Sequence, residues 1–177
     1  MWIGFDEQRE LLLRKAREFG ISLDEHLRDG RLVVRTLAPV ENDPDEIAAI
    51  IRHAVETHGA RRQVIDGLFY LERATQREDR AYDFFGALTT YLAAASVATC
   101  AIKTINRVGA EELDFQDTPL SLMAKNLLWL RLTRDDHRTR RTLTVLARAD
   151  GEPNHRVYTY SIKRSGLTIE GPSDRDT

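Results

Sequence analysis

The sequence predicts an α/β fold in which a mostly parallel sheet carries helices on its faces. Short apolar stretches alternate with amphipathic helical segments over residues 1–102, and from residue 127 onward strand-like stretches are separated by tight turns. Strand–helix alternation is typical of parallel sheets, whereas short turns join antiparallel neighbours. We expect one domain over residues 1–170, followed by a flexible tail over residues 171–177.

Composition and charge narrow the classes of function. The chain is 42% hydrophobic and 31% charged, as in a soluble globular protein. A net charge of -2 gives no general attraction to nucleic acid or acidic membranes. Arginines cluster over residues 61–62, 73–80 and 131–141, but acidic residues interleave with them, which is typical of a solvated face and argues against a nucleic-acid partner. The single cysteine, Cys100, predicts a buried thiol in a reducing, cytoplasmic compartment.

One uncharged segment has the length of a membrane span. Residues 84–102 carry no charge, which leaves a bilayer crossing open on length alone. Glycine, threonine, serine and tyrosine interrupt the segment, and alanine supplies much of the rest. We therefore predict a buried helix to about residue 95 and a strand over residues 97–102, with no membrane span. The N-terminal residues lack the basic region and cleavage site of a signal peptide.

The individual elements follow from periodicity and from capping signals. The clearest helix start is Asp43 as cap, with Pro44 in the first turn and Glu46 three residues after the cap. In order, the first half predicts a strand over residues 1–5, a helix over 7–19, a short helix opened by a capping box at Ser22 and ending at Gly30, a strand over 32–37, a helix from Asp43 to Gly59, and a strand over 64–66.

In the second half, a charged stretch over residues 72–83 precedes the helix at residue 84. The remaining predictions are a short helix opening at Thr118 and Pro119, strands over residues 127–132 and 142–147 joined by a turn over 134–137, and strands over 157–162 and 167–169. Closely spaced turns between these strands indicate antiparallel pairing.

Three acidic residues follow predicted strands. Asp66 ends the apolar strand of Val64 and Ile65, the position where a parallel sheet carries its chemistry. Aspartate is also common wherever a strand gives way to a turn. Asp6 and Glu7 follow the first strand, and they are equally compatible with a helix N-terminus, whose dipole favours negative charge. The residues alone favour the turn and the helix N-terminus, and they leave a catalytic role open.

A series of features in a fixed order points to a known family. The features are Phe5-Asp6-Glu7, the following Leu-Leu-Arg-Lys-Ala helix, Gly20-Ile21, Leu32-Val33-Val34, the segment at Pro39, Ala60-Arg61-Arg62-Gln63-Val64-Ile65-Asp66, the strand end at Thr104, and three closing strands. Nearly the whole chain thereby resembles the later part of an ATPase domain of the circadian clock protein KaiC family. The resemblance implies a RecA-like fold of the P-loop NTPase type with C-terminal antiparallel strands, truncated before its first strand.

The resemblance implies roles for several residues. The family hydrolyses ATP bound between neighbouring subunits of a ring, so ATP, magnesium and RecA-like partner subunits are expected, in a homo- or hetero-oligomer that could signal to a further protein. Asp66 matches the Walker B aspartate, which holds magnesium through water. Asp6 and Glu7 match the acidic pair of which one orients the attacking water as a general base. Thr104 matches the polar strand end beside the γ-phosphate.

The chain also departs from the family pattern. It contains no Gly-x-x-x-x-Gly-Lys-[Ser/Thr], the Walker A loop whose amides and lysine hold the triphosphate. Where the family usually has Lys-Met-Arg-Gly, this chain has Ala147-Arg148-Ala149-Asp150. Arg148 is the remaining candidate for contacting the nucleotide, although its side chain is expected on the opposite strand face. Gly67 stands where the family often has serine.

Two hypotheses of different classes follow. In the first, the chain is an ATPase domain with slow hydrolysis and a regulatory role, inactive alone because the phosphate loop is absent. In the second, it is a non-catalytic pseudo-ATPase module of a hetero-oligomer. The resemblance places the missing strand inside the sheet, so two strands are expected to lack a neighbour and one sheet face to be uncovered.

Overall fold

The computed structural model describes residues 1–38, 43–75, 78–105, 123–135, 138–153 and 156–172. The chain forms two compact units, the first comprising Met1–Ala16 and Ser22–Met123 and the second Arg17–Ile21 and Ala124–Thr177. The described elements are β1 (Trp2–Gly4), α1 (Arg9–Glu18), α2 (Asp24–Arg28), β2 (Val34–Thr36), α3 (Pro44–His58), β3 (Arg62–Asp66), α4 (Leu68–Ala74), α5 (Glu78–Ala94), β4 (Ala98–Ile102), β5 (Leu127–Asp135), β6 (Arg138–Ala147), β7 (Val157–Lys163) and β8 (Gly166–Pro172).

The first unit contains a four-stranded sheet in the order β2-β1-β3-β4, and every pair in it is parallel. Gly4 pairs with both Thr36 and Asp66, and Asp66 also pairs with Ile102. The carboxyl ends of all four strands therefore meet at one edge of the sheet. The parallel arrangement predicted from strand–helix alternation is confirmed.

The core of the first unit is formed by the sheet and the apolar sides of its helices. Its buried members are Ile3, Phe5, Ile47, Ile51, Val55, Ile65, Leu68, Leu71, Ala81, Phe85, Leu88, Leu92 and Val97. The predicted start of α3 is confirmed, because the Asp43 carboxylate accepts a 2.9 Å hydrogen bond from the Asp45 amide. Gly59 ends α3 in the left-handed region, at φ 61°.

Helix boundaries differ from the sequence prediction at two places. The charged stretch over residues 72–83 is mostly helical, since α4 occupies Leu68–Ala74 and α5 begins at Glu78. Burial of Leu68 and Leu71 stabilises α4, and burial of Ala81 extends α5 towards its N-terminus. The capping box predicted at Ser22 is wrong: α2 begins at Asp24, and its cap residue is Leu23, which has no side-chain group that could accept the capping hydrogen bond.

Within the described structure, the strand β4 lies at an edge of the parallel sheet, where β3 is its partner. Cys100 in this strand is exposed, so the prediction of a buried thiol is wrong. The reason is its position, because an edge strand is covered only where another element packs on it. Among the residues with described structure, no helix is long and apolar enough to cross a membrane.

The second unit contains a four-stranded antiparallel sheet in the order β5-β6-β7-β8. In the parts of the chain that the structure describes, β4 and β5 do not pair, so the parallel and the antiparallel strands form two sheets. Together they agree with the predicted fold class. Arg134 and Asp135, predicted in a turn, continue β5 and pair with Thr139 and Arg138. Strand β8 runs to Pro172, two residues into the predicted tail. The rest of that tail, the predicted helix at residue 118 and the segment at Pro39 lie outside the described residues.

Candidate functional site

The acidic residues predicted from sequence meet at the carboxyl edge of the parallel sheet. Asp66 is the last residue of β3 and pairs with Gly4. The backbone continues this pairing past β1, because the Phe5 amide donates a 3.2 Å hydrogen bond to the Asp66 carbonyl. Asp6 and Glu7 come immediately after Phe5 and lie beside Asp66.

The charges of these acids interact. Burial raises the pKa of the half-buried Asp66 carboxyl above its ordinary value, and the neighbouring charges of Glu7 and Asp6 raise this pKa further. The positive charge of the Lys15 ammonium acts in the opposite direction and offsets part of this rise in the pKa of Asp66. The edge is therefore a partly desolvated patch of negative charge at which a bound cation would be stabilised.

Glu7 is held on two sides. The Lys15 ammonium of α1 donates a hydrogen bond to the Glu7 carboxylate and forms an ion pair with it. The Thr36 hydroxyl, at the end of β2, donates a 3.2 Å hydrogen bond to the Glu7 carbonyl. One Glu7 carboxylate oxygen is thus engaged by a cation of the same chain.

Asp6 is contacted by Tyr70, a residue that the sequence analysis missed. A hydrogen bond from the Tyr70 hydroxyl to the Asp6 carboxylate, together with burial and the Asp6 charge, raises the pKa of Tyr70. The Tyr70 ring stacks on Phe5, with 6.1 Å between ring centroids. The spacing of Leu68 and Leu71 after Gly67 was the available signal for the short helix that carries Tyr70.

Gly67 has a conformation and surroundings that disfavour a side chain. Its φ is 92°, in the region that favours glycine. A Cβ atom at this position would lie 3.2 Å from Cδ2 of Tyr70 and 3.3 Å from Cβ of Phe5. A serine, which the family often carries here, would combine a strained backbone with contacts that Tyr70 and Phe5 relieve only by moving a few tenths of an ångström. Gly67 and the aromatic pair are therefore structurally linked.

A second lysine lies at the same edge of the sheet. The Lys103 ammonium is 2.6 Å from Oε2 of Glu72, and both side chains are mostly buried. The other Glu72 oxygen, Oε1, is buried without a hydrogen-bond partner among the described residues. Lys103 follows Ile102, the residue that pairs with Asp66, and precedes the exposed Thr104. The end of β4 therefore carries the Lys103 ammonium next to the predicted Thr104 hydroxyl. The sequence analysis did not include Lys103.

Arg148 belongs to the second unit, whereas the three acids belong to the first. It follows the last residue of β6, and its guanidinium lies 3.1 Å from Oδ1 of Asp150. Both side chains are exposed. An exposed pair of this kind is weak, so Arg148 can exchange Asp150 for another anion.

The acidic edge fits a magnesium ion only if other ligands complete the coordination. In the described parts of the chain, no three His, Cys, Asp or Glu side chains are grouped so that they could hold a metal. Magnesium usually keeps several waters and takes one or two carboxylates together with substrate phosphates. That mode of binding would require only the Asp66 carboxylate from this edge.

Comparisons with known proteins bear on these residues. The sequence profile of the family described as "ATPase: KaiC" matches residues 1–174. The circadian clock protein KaiC3 of Synechocystis sp. is 22% identical over 170 residues, which cover 96% of this chain and 33% of that protein. The chain thus spans about a third of the length of this relative. The parallel sheet and C-terminal antiparallel strands agree with a RecA-like domain. The chain belongs to the KaiC family of ATPase domains.

Proposed function

We propose that this chain supplies the carboxylate side of a magnesium–ATP site. The single observation that carries the proposal is the meeting of Asp66, Asp6 and Glu7 at the carboxyl edge of a parallel sheet, where the pKa of Asp66 is raised. Parallel sheets of this class bind ligands outside the carboxyl ends of their strands. Magnesium held there by Asp66 would neutralise negative charge on the phosphates of a bound nucleotide.

Within this site Asp66 would hold the magnesium ion, and Asp6 or Glu7 would orient the attacking water as general base. A general base needs a carboxylate oxygen that is free to accept the proton of that water. The Lys15 ammonium engages Oε1 of Glu7, and Tyr70 donates one hydrogen bond to Asp6, so each acid retains acceptor capacity. Both acids remain candidates for the base.

Two further residues complete the proposed nucleotide contacts. Thr104 is exposed after the end of β4 and offers its hydroxyl beside the γ-phosphate. Arg148 contacts the nucleotide across an interface between subunits, where it replaces Asp150 with phosphate as its partner. This role requires an oligomer of RecA-like subunits, which we place in the cytoplasm.

We propose that these 177 residues alone bind nucleotide weakly and do not hydrolyse it. No glycine in the chain is followed by lysine, so the loop that cradles the triphosphate must come from outside these residues. Ala147 and Ala149 also stand where the family carries cations, and a missing arginine finger slows transfer on the order of a thousandfold or more. The role we assign is regulatory or signalling.

A second candidate function is a non-catalytic module that assembles with other RecA-like subunits. The observation in its favour is that lysines of the chain itself already neutralise acids at the edge, through Lys15 with Glu7 and Lys103 with Glu72. A site that is balanced in this way does not need a bound cation to be stable.

Calorimetric titration with MgATP tests the proposed function. We expect no saturable binding to the chain up to about 1 mM, because the phosphate loop supplies most of the affinity. A fusion of this chain to a KaiC-family segment that contains the loop should bind MgATP. Asp66→Asn should abolish that binding. The control Glu46→Gln, which changes an exposed acid on α3, should leave it intact. If Asp66→Asn does not weaken MgATP binding by the fused chain, the proposed role of the Asp66 carboxylate is contradicted and the non-catalytic module is favoured.

A further inference from the structure

The acidic edge of the parallel sheet already includes one cation, the ammonium group of Lys15. Lys15 lies on α1, and its ammonium forms an ion pair with the Glu7 carboxylate. The Lys15 side chain is 53% exposed, whereas the Glu7 side chain is only 21% exposed. Lys15 can therefore turn into solvent without leaving a buried position, but the mostly buried Glu7 carboxylate then needs another cation.

The backbone holds Glu7 at the edge independently of Lys15. The hydroxyl of Thr36, the last residue of β2, donates a hydrogen bond to the Glu7 carbonyl. Just before the acidic residues, the Phe5 amide donates a hydrogen bond to the Asp66 carbonyl at the end of β3. The segment is thus tied to β2 on one side and to β3 on the other. Glu7 therefore keeps its place at the edge when its partner changes.

The charge of Lys15 acts on Asp66 as well as on Glu7. It offsets part of the rise in the pKa of Asp66 that burial and the charges of Glu7 and Asp6 cause. A divalent ion bound to these acids would therefore lie close to the Lys15 ammonium. The repulsion between that ion and Lys15, at roughly 5 Å in water, is large enough to weaken metal binding by about tenfold.

The other lysine at this edge is not exchangeable in the same way. The Lys103 and Glu72 side chains are 25% and 14% exposed, so both partners of that ion pair are mostly buried. Separation of a buried ion pair leaves an uncompensated charge in a poorly solvated place, which is strongly unfavourable. An ion pair with an exposed partner is worth little by comparison. Of these two lysines, Lys15 is thus the one that a bound cation can displace.

We propose that Lys15 and a divalent cation compete for the Glu7 carboxylate, so that a metal ion binds at the carboxyl edge when Lys15 leaves Glu7. This competition depends on the proposed function, because it takes place at the same acidic edge. It adds a regulation of that edge by the chain itself. While the ion pair is closed, Lys15 neutralises Glu7 and repels a second cation. The competing ligand is a hard divalent cation of the kind that carboxylates bind, such as Mg²⁺ or Mn²⁺.

NMR line broadening by Mn²⁺ alone measures the competition in the complete chain. The Kd for Mn²⁺ is taken from the broadening of the Gly67 amide, next to Asp66, across a millimolar titration. Lys15→Met removes the competing charge and should lower this Kd by about tenfold. Lys15→Arg keeps the charge and should leave the Kd close to that of the unmodified chain. The matched control is Arg52→Met, which removes one positive charge from an exposed ion pair with Glu56 on α3 and should also leave the Kd unchanged.

Two results would overturn the proposal. If Asp66→Asn removes the broadening but Lys15→Met lowers the Kd no more than Arg52→Met does, the competition is refuted while the proposed function stands. If no variant shows broadening at Gly67 that depends on Asp66, the competition and the proposed role of the Asp66 carboxylate are both contradicted. Circular dichroism of the Lys15 and Arg52 variants should match that of the unmodified chain, because both side chains are more than half exposed.

Discussion

Replacement of Gly67 with alanine is expected to destabilise the first unit by about 2 kcal/mol or more. Two effects contribute. A residue with a Cβ costs about 1–2 kcal/mol in the left-handed region, and φ at Gly67 is 92°. The new Cβ would also lie 3.2 Å from the Tyr70 ring and 3.3 Å from the buried Phe5, and overpacking of this kind typically costs about 1–3 kcal/mol. Reduced freedom of the unfolded chain offsets about 0.4–1 kcal/mol of the total.

Gly59→Ala is the matched control, because it separates backbone strain from crowding. Gly59 is also left-handed, at φ 61°, but a Cβ there would meet no atom of the described residues within 4 Å. We expect this control to lose about 1 kcal/mol or less, since only the backbone effect applies. The difference between the two variants measures the contact of residue 67 with the aromatic pair.

Urea unfolding followed by tryptophan fluorescence provides the assay. Trp2 lies in β1 of the parallel sheet and Trp129 lies in β5, so Trp129→Phe leaves a signal from the first unit alone. The two glycine variants are compared in that background, with the same dependence of the unfolding free energy on urea concentration for both. If both variants lose the same free energy of unfolding, or if Gly67→Ala gains stability, the crowding argument is refuted. Our explanation of why serine is absent at position 67 is then refuted as well.

Three other substitutions test separate contacts. Asp43→Ala should lower the free energy of unfolding by about 1 kcal/mol, measured by urea unfolding, because it removes the hydrogen bond that caps α3. Asp66→Asn should raise the free energy of unfolding at pH 7 by about a few tenths of a kcal/mol, because solvent screens the charges around this half-exposed carboxyl. The folded pKa of Asp66 lies above 3.8, so the charged form is disfavoured, and this gain should vanish as the pH falls towards 3.8. A gain that grows with falling pH would contradict the raised pKa. Lys103→Met should cost roughly 1–3 kcal/mol by leaving Glu72 unpaired, and Glu72→Gln in the same chain should restore part of the loss. Failure of that rescue would show that the loss comes from packing.

Local signals in the sequence predicted much of the fold. The start and end of α3 depend on Asp43, Pro44 and Gly59, which act within one helical turn, and the structure confirms both ends. Helix α4 was missed because the burial of Leu68 and Leu71 stabilises it, and burial is a tertiary effect. The exposure of Cys100 likewise depends on which strands flank β4, and strand order is not contained in the composition of a segment.

The candidate site was predictable to the extent that strand register determines it. Parallel pairing brings the residues after β1 and β3 to one edge, so the proximity of Asp6 and Glu7 to Asp66 followed from their positions in the chain. Tyr70 and Lys103 were missed because their partners are set by how α4 sits on the sheet edge. The catalytic roles of the acids stay predictions.

The central claim is that the carboxyl edge of the parallel sheet faces the nucleotide. NMR line broadening by Mn²⁺ and ATP tests this directly, since a paramagnetic ion near Asp66 reports even weak binding. We predict that millimolar Mn²⁺ with ATP broadens the amides of Gly67 and Lys103 far more than that of Arg62 at the amino end of β3, and that Asp66→Asn removes the difference. Broadening that is equal at both ends of the strand, or unchanged by Asp66→Asn, would contradict the claim.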